Sequence, residues 1–369
     1  MVSIAERLKQ EFSDNALLAR IGGDEFAVFL SNADTEAKVK QTERRLQQLF
    51  STPFMVEGEN VVMKISLGIV QTQPNETMPL WLRNASIALS YAKQDSLTGV
   101  CHYSPELASA SKFRTQMLTK IQTGIENQEF VPHYQPIVDL ASGNVCGAEA
   151  LARWHSDSGM VSPLDFIPIA EESGMIKAIG QQILLQACRD TYQAIQSNQW
   201  PSDFQLHVNI SVNQLSCPDF VDTVTNVLDI TKLPASNLTL EITESRIIDS
   251  APTTLENMTK LRDMGIGIAI DDFGTGYSSL GYLHSLPFTC LKIDRTFINQ
   301  LTQENLDSSV VAAVINITAG LKTNVVAEGV EDSNQAQLLR SLGCNQVQGF
   351  YYSRPMPLEE WPTHLVNMK

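Results

Sequence analysis

The chain has 369 residues and a formal net charge of −15 at pH 7, with 43% hydrophobic and 18% charged residues. This is an ordinary globular composition, long enough for two domains, or for one large and one small domain. The acidic balance argues against non-specific nucleic-acid binding, which needs a basic surface, so DNA is not an expected partner. An anionic substrate fits this charge only if bound divalent cations offset it locally.

The sequence shows no sign of export or of a membrane span. No apolar run approaches the ~18 to 20 residues that cross a bilayer. Residues 1–12 have the pattern of a charged amphipathic helix, not of a signal peptide. The six cysteines are scattered without a CxxC pair, which is typical of reduced thiols. We expect a cytoplasmic protein, and the sequence leaves open a membrane or sensor segment upstream of Met1.

Helices and strands alternate over the first 100 residues or so. The predicted elements, with a hairpin at the tight turn Gly22-Gly23, are strands 17–21 and 26–30, helix 36–50, strand 61–69 and helix 80–93. Pro105 is well placed to begin a helix over about 105–126. We therefore predict a first domain over 1–104, a connecting helix over 105–127 and a second domain over 128–369.

From Phe130 onward, short apolar strands are mostly separated by helical stretches. The eight predicted strands are 130–138, 144–151, 204–210, 238–243, 266–271, 289–293, 324–327 and 346–349. Eight strands in about 240 residues are typical of a TIM-type barrel. Only Leu140-Ala141-Ser142-Gly143 joins the first two strands, and a parallel pair needs a crossover of a dozen residues or more. We therefore predict an α/β fold, a TIM-like (β/α)8 barrel with one antiparallel strand.

Polar residues occur at or near the carboxyl ends of these strands, where the catalytic mouth of such a barrel forms. They are Glu149, Asn209, Glu241, Asp271, Asp272, Lys292, Asp294, Glu328 and Gln348. Side chains alternate along a strand, so aliphatic residues that face the helices turn their neighbours inward. This alternation points Asn209, Glu241, Asp271, Lys292 and Asp294 into the barrel. Asp272 cannot share the direction of Asp271 in a regular strand, so we expect it in the loop beyond.

Converging carboxylates inside a barrel are costly unless metal ions neutralise them. Oxygen ligands suit Mg²⁺ or Mn²⁺, and the absence of His and Cys from the set disfavours zinc. Four carboxylates and Asn209 are enough for two ions, with Asp271 as the expected bridge. Such a pair activates water and stabilises an in-line phosphoryl transfer. Lys292 would orient the water or offset charge in the transition state.

Several residues near the mouth of the barrel have two possible roles each. Arg153 is a candidate phosphate clamp, or it pairs with Glu149 or packs on Trp154. Gly274 and Gly276 allow a mobile loop over the mouth, or only a tight turn, and Glu244 is expected to hold that loop. Lys292 has the alternative of a salt bridge with Asp271 or Asp294. The three histidines at 133, 155 and 207 make no ligand set by spacing and are interpreted as core or surface residues.

These residues resemble the EAL family of cyclic di-GMP phosphodiesterases over about 118–369. The matching stretches are Tyr134-Gln-Pro-Ile, Glu149-Ala-Leu-Ala-Arg-Trp154, Asn209-Ile-Ser, Glu241-Ile-Thr-Glu244, Asp271-Asp-Phe-Gly-Thr-Gly276, Leu291-Lys-Ile-Asp294, Ala327-Glu-Gly-Val-Glu331 and Gln348-Gly. The resemblance implies hydrolysis of cyclic di-GMP to linear pGpG with two Mg²⁺ or Mn²⁺ ions. It also implies a homodimer, since family barrels often pair near strands five and six.

The resemblance assigns roles residue by residue. The implied metal ligands are Glu149, Asn209, Glu241, Asp271, Asp272 and Glu328. The implied catalytic residues are Lys292, Glu328 and Asp272, and the implied substrate-binding or site-supporting residues are Gln135, Arg153, Asp294 and Gln348. The main alternative is a catalytically silent cyclic di-GMP receptor. A metal barrel that acts on another substrate rests mainly on fold analogy.

The amino-terminal part resembles the second half of a GGDEF (diguanylate cyclase) domain. The matching residues are Arg20-Ile-Gly-Gly-Asp-Glu-Phe26 and Tyr91-Ala-Lys93. The first half of that family's domain would precede Met1, so a partial α+β domain with exposed sheet edges is expected. Ser13 and Ala16 stand where the family has the Arg and Asp of its product-inhibition site. Cyclase activity is therefore not expected, and GTP is only a weakly indicated partner of this part.

Overall fold

The structure is a computed structural model that describes residues 1–12, 16–31, 35–56, 58–73, 75–94, 97–244, 252–274, 286–306 and 309–361. Two residues named above, Ser13 and Gly276, lie outside these ranges. The chain forms two compact units, Met1–Thr115 and Gln116–Lys369. Within the described residues, no helix combines the length and the apolar character needed to cross a membrane.

The first unit follows the predicted alternation of helices and strands. Its elements are α1 (Val2–Glu11), β1 (Ala16–Gly22), β2 (Glu25–Leu30), α2 (Glu36–Ser51), β3 (Phe54–Val56), β4 (Glu59–Val61), β5 (Leu67–Ile69), α3 (Met78–Gln94) and β6 (Val100–His102), followed by α4 (Pro105–Glu126). The predicted hairpin is confirmed, since β1 and β2 are antiparallel and Gly23 takes the positive φ of +54° that a tight turn needs.

The single strand predicted over 61–69 is wrong. A turn with Gly58 at a φ of +89° folds β4 back on β3, while β5 pairs in parallel with β6. Between β4 and β5 the side chains of Met63 and Ile65 pack on a small core around Phe50 and Phe54. The predicted strand is therefore two short strands, β4 and β5, which pair with different partners.

The described strands of the first unit form three separate two-stranded sheets. A cavity of about 1410 Å³ lies in this unit and is lined by β2, by β5 and by residues of α3. The described sheets thus leave strand edges open around a large cavity.

The second unit contains the predicted barrel strands. The strands are β7 (Phe130–Asp139), β8 (Val145–Ser156), β9 (Gly159–Val161), β10 (Gln205–Asn209), β11 (Leu238–Thr243), β12 (Gly267–Phe273), β13 (Cys290–Ile293), β14 (Asn324–Ala327) and β15 (Gln346–Val347). The described helices are α5 (Pro163–Ser173), α6 (Ile176–Gln196), α7 (Val212–Leu215), α8 (Phe220–Thr231), α9 (Pro252–Asp263), α10 (Arg295–Ile298), α11 (Val310–Leu321) and α12 (Ser333–Ser341).

Eight of these strands close into a barrel in the order β8-β10-β11-β12-β13-β14-β15-β7. The barrel closes because β7 pairs with both β8 and β15. Both of those pairings are antiparallel, and the other barrel pairings are parallel. The predicted TIM-like barrel with one reversed strand is confirmed, and the short β9 adds a hairpin to the end of β8.

Alternation along the strands separates a helix-facing layer from an interior layer. Leu240 in β11 is buried in the main apolar cluster together with Met258 and Leu261 of α9, and Glu241 beside it is also buried. A buried strand with an aliphatic outer face leaves its other face for the barrel interior. The acidic residues therefore lie inside because their aliphatic neighbours pack against the helices.

The last strand ends in a close backbone contact that positions the mouth. A Cβ on Gly349 would lie 2.1 Å from the carbonyl oxygen and 2.3 Å from the amide nitrogen of Val330. Val330 donates its amide hydrogen to Gln348 O, and Tyr351 donates to Val330 O. Only glycine allows these two chain segments to approach so closely.

We expect the Gly349→Ala variant to be less stable by about 1–3 kcal/mol, because the added methyl group forces the backbone contact apart. A matched control is Gly320→Ala in α11, where a Cβ meets nothing within 4 Å. That change should stabilise the protein by up to about 1 kcal/mol, since alanine favours a helix. Urea unfolding monitored by tryptophan fluorescence measures both, and equal stability of the two variants would contradict the close-approach argument.

Candidate functional site

The centre of the site is a lysine enclosed by carboxylates. Lys292 in β13 is fully buried. Its Nζ lies 2.6 Å from Glu241 Oε2, 2.6 Å from Glu328 Oε1, 3.2 Å from Glu149 Oε2 and 3.6 Å from Asp271 Oδ1. These acids come from β8, β11, β12 and the residue after β14, so the barrel brings together groups that are up to 179 positions apart in the sequence.

Amide side chains orient Glu149 from both sides. Asn209 Nδ2 donates a hydrogen bond to Glu149 Oε1, and Gln348 Nε2 donates to Glu149 Oε2 at 2.7 Å. Gln348 Nε2 also reaches Gln135 Oε1 at 3.0 Å, and Gln135 Nε2 donates to the carbonyl oxygen of Ser353. Both oxygens of Glu149 therefore accept hydrogen bonds. Gln348, after β15, bonds to Glu149 directly, and Gln135 in β7 holds Gln348 in place.

Glu149 does not end its strand, contrary to the sequence prediction. The strand β8 continues to Ser156, beyond the predicted end at Leu151, because it pairs with β7 along its length and then with β9. Glu149 is level with His207 of β10 in the strand register. Its depth in the site is therefore set by pairing between strands and not by the end of β8.

Asp271 and Asp272 reach the same cluster through an irregular backbone. Asp272 has a φ of +54°, and the pairing of β12 with β13 shifts between Ile270 and Phe273. The prediction that Asp272 lies in a loop is wrong, because β12 continues to Phe273. A bulge with a left-handed residue lets two adjacent side chains turn to one side of a strand. Strand alternation predicted that the side chains of Asp271 and Asp272 point in different directions, but the bulge brings both into one cluster.

Carboxylate oxygens of Asp271, Asp272 and Glu328 lie within 4.8 Å of one another. Such a set of oxygen donors fits Mg²⁺ or Mn²⁺, which prefer carboxylates and carbonyls to nitrogen or sulfur. Glu149 and Glu241 approach the same centre through Lys292. The structure thus contains an acidic cluster with the chemistry of a divalent metal site.

Two of the predicted substrate-binding residues, Asp294 and Arg153, make their hydrogen bonds outside the acidic cluster. The side chain of Asp294 accepts hydrogen bonds from the amide and hydroxyl groups of Thr296 and caps α10. Alternation pointed Asp294 inward, but the capping contact engages its carboxylate. Arg153 is half-buried and donates from Nη1 to Ala152 O at 2.9 Å. Among the described residues Arg153 forms no ion pair, and the neighbouring Trp154 donates a hydrogen bond from Nε1 to Glu129.

Glu244 contacts the chain segment that follows the two aspartates. Its Oε2 accepts the backbone amide hydrogen of Gly274 at 2.8 Å. Gly274 has a φ of +96°, and a Cβ there would lie 2.8 Å from the ring of Phe297. Burial raises the pKa of Glu244, and the bond from Gly274 opposes that shift. The contact ties the end of β11 to the end of β12 on the mouth side.

The charge balance of the cluster governs its protonation. If all five groups were ionised, four carboxylates would face one ammonium group. Burial alone would lower the pKa of Lys292, but the carboxylates, with Asp271 first, hold it well above its ordinary value. Burial raises the pKa of Glu241 well above its usual range, and the charge of Glu149 adds to this.

Two other glutamates show opposite shifts. Burial raises the pKa of Glu328 to about 8, although Lys292 opposes the shift. Burial also acts on Glu149, but Lys292 and the bonds from Gln348 and Asn209 outweigh it and lower its pKa to about 2. The best hydrogen-bonded acid, Glu149, therefore favours its ionised form, whereas burial favours the protonated form of Glu241 and Glu328.

One buried histidine belongs to this site and was missed by sequence reasoning. His207 Nδ1 lies 2.8 Å from Glu241 Oε1, and both side chains are buried. Burial, aided by Lys292, lowers the pKa of His207 to about 3. His207 precedes Asn209 by two residues, so strand alternation alone placed it on the inward face. The other pair, His133 and His155, has its Nε2 atoms 3.3 Å apart.

We expect Mn²⁺ binding to strengthen as pH rises from 6 to 8, because a cation must displace the proton that Glu328 retains below its pKa of about 8. Displacement of one proton lowers the Mn²⁺ dissociation constant about tenfold per pH unit in this range, and the dependence flattens above it. Calorimetry in buffers of different ionisation enthalpy measures affinity and proton release together. The Glu328→Gln variant should bind more weakly and show a flatter pH dependence. A pH-independent wild-type affinity would contradict this.

Comparison with known proteins adds the family context. A family model described as "EAL domain" matches residues 118–355, and one described as "Diguanylate cyclase, GGDEF domain" matches residues 1–97. The bifunctional diguanylate cyclase/cyclic di-GMP phosphodiesterase MucR of Pseudomonas aeruginosa is 37% identical over 98% of this chain and 52% of its own length. The cyclic di-GMP phosphodiesterase NbdA of the same organism is 35% identical over 96% of this chain and 45% of its own length.

The chain therefore spans about half the length of the curated relatives it matches. Among solved structures, the PaMucR phosphodiesterase in complex with c-di-GMP has 42% sequence identity and a TM-score of 0.63, covering 67% of this chain and 100% of that chain. The EAL enzyme Bd1971 in its cGMP-bound form has 34% identity and a TM-score of 0.65, covering 71% of each chain.

Proposed function

This chain belongs to the EAL domain family, and on that basis we propose that its larger unit hydrolyses cyclic di-GMP to linear pGpG with two Mg²⁺ or Mn²⁺ ions. The observation that carries the proposal is the convergence of Glu149, Glu241, Asp271 and Glu328 on Lys292 inside the barrel. The names of two relatives, MucR and NbdA, state cyclic di-GMP phosphodiesterase activity. A related solved structure contains c-di-GMP.

The proposed metal ligands are Glu149, Asn209, Glu241, Asp271, Asp272 and Glu328. Asp271 would hold the ions together with Asp272 and Glu328, because oxygens of these three acids lie within 4.8 Å of one another and Asp271 Oδ1 is also 3.6 Å from Lys292 Nζ. When bound, the cations would neutralise the carboxylates, polarise the phosphodiester and acidify the attacking water. The acidic net charge of the chain then does not oppose an anionic substrate at this site.

The chain's own residues would bind the phosphodiester and move the protons. Attack of water on one phosphorus breaks its bond to O3′, opens the ring and leaves pGpG with a 5′-phosphate and a 3′-hydroxyl. Lys292 is a fixed positive charge that would orient the water and offset charge in the transition state. Asp272 and Glu328, whose carboxylates lie together in the cluster, are the proposed acceptors of the proton from the attacking water.

The structure supports some of the proposed substrate contacts more than others. Arg153 shares the inward face of β8 with Glu149, and a guanidinium suits a phosphate oxygen. Gln135 and Gln348 already bond to each other and to Glu149, which favours a role in holding that ligand. The substrate role of Asp294, a GTP site in residues 1–104 and a homodimer stay predictions from the resemblance.

A catalytically silent receptor for cyclic di-GMP is the alternative. The two readings differ at the acidic cluster, because a receptor needs contacts to the bases and phosphates but no activation of water. The cluster retains each acid that the enzyme reading assigns, along with Lys292 at its centre. This favours the enzyme.

The decisive measurement is chromatography of the products after incubation of the full chain with cyclic di-GMP and Mg²⁺. We expect pGpG, and none after EDTA treatment. Glu149→Ala and Lys292→Met should each lower kcat at least ~100-fold, the scale for losing one charged group that acts on the transition state. The exposed Glu256→Ala in α9 serves as a control and should keep full activity.

The outcomes separate the alternatives. Retained binding of cyclic di-GMP without pGpG would support the receptor. Undiminished hydrolysis by Glu149→Ala would refute the ligand assignment, and hydrolysis that survives complete removal of metal would refute the metal-dependent mechanism.

Glu244 provides a separate test of how the aspartates are held. Removal of its carboxylate in Glu244→Ala leaves the amide of Gly274 without its acceptor, two residues after Asp272. We expect weaker Mn²⁺ binding and about tenfold lower turnover, with a smaller effect for Glu244→Gln, which keeps one acceptor oxygen. If both variants matched the wild type in metal affinity and turnover, Glu244 would have no role in holding this segment.

A further inference from the structure

We propose that His207 is a positioning residue for the metal centre, where its imidazole fixes the orientation of Glu241. This inference rests on the proposed metal-dependent function of the cluster. His207 Nδ1 is 2.8 Å from Glu241 Oε1, while Glu241 Oε2 is 2.6 Å from Lys292 Nζ. The two oxygens of Glu241 are thus held by two different partners.

The strand register explains how one strand holds both neighbouring glutamates. The strand β10 lies between β8 and β11, and both pairings are parallel. His207 is level with Glu149 on one side, and Asn209 is level with Glu241 on the other. The contacts run diagonally, since Asn209 bonds to Glu149 and His207 bonds to Glu241. The inward face of β10 therefore supplies a hydrogen-bond donor to the acid of each adjacent strand.

The chemistry of an imidazole suits this position. An ionised carboxylate oxygen can only accept, so Nδ1 must carry the hydrogen atom in the metal-loaded state. A neutral N–H donor satisfies one buried oxygen of Glu241 without adding a second cation beside Lys292. Loss of such a donor would leave a buried carboxylate oxygen unpaired and the side chain free to turn. Donors of this kind behind a metal ligand typically affect metal affinity by about 10–100-fold.

If the His207 side chain only filled space in the barrel, its variants would behave differently. Phenylalanine approximates the volume of the imidazole but has no donor, whereas the Nδ2 of asparagine can donate from a place close to that of Nδ1. If His207 only fills space, His207→Phe should be the better tolerated change. If it positions Glu241, His207→Asn should be the better tolerated change. The pair of variants thus separates the two roles.

The test is Mn²⁺ titration of the metal-stripped full chain at pH 8, by calorimetry and by the electron paramagnetic resonance of bound Mn²⁺. We expect His207→Phe to weaken Mn²⁺ binding about 10–100-fold and His207→Asn to restore it to within about threefold of the wild type. His133→Phe is a matched control, because His133 lies in the same barrel and contacts His155, and its Mn²⁺ affinity should be unchanged.

Wild-type affinity in His207→Phe, or equal loss in both His207 variants, would overturn the proposal. The wild-type protein supplies a second measurement should His207→Phe fail to fold. In spectra of ¹⁵N-histidine-labelled protein, the His207 ring signals should shift on saturation with Mg²⁺, and unchanged signals would overturn the proposal. A protein that binds Mn²⁺ in a His207-dependent way but makes no pGpG would refute the hydrolase and leave the positioning role intact.

Discussion

The structure depends on one buried ammonium group. Lys292 lies inside the barrel with four carboxylates around it, and no fewer than three strands contribute those acids directly. Without a cation at this centre, so many buried acids would repel one another and draw in protons. The lysine offsets only part of their charge. The remaining excess suits the cluster to divalent cations, and it adds to the burial that raises the pKa values of Glu241 and Glu328.

Around that charge, amide hydrogen-bond donors set Glu149 apart from the other acids. Glu149 receives amide donors on both oxygens and has a lowered pKa, whereas Glu241 has a raised pKa although it contacts Lys292 and His207. Both acids are buried and share the same lysine, so the difference follows from the amide donors to Glu149 and from the charge of Glu149, which raises the pKa of Glu241. These donors come from β10 and from the segment after β15, so the pKa values of the acids depend on how the strands of the barrel are arranged.

Backbone irregularities complete the site. A left-handed Asp272 within β12 allows two adjacent aspartates to serve one cluster, and Gly349 lets the end of β15 approach Val330 so that Gln348 reaches Glu149. Regular strands alone would present one residue in two to the interior. The mouth of the barrel therefore gains acidic and amide side chains where the sheet departs from regular geometry.

Local pattern was enough to predict the eight strands, the antiparallel first pair and the inward direction of Glu241, Asp271 and Lys292, because alternation is a property of a few consecutive residues. The contact of His207 with Glu241 and the bulge at Asp272 were decided only by the tertiary structure. Each depends on the register between strands or on a local departure from regular geometry, and neither is encoded in the periodicity of a single strand.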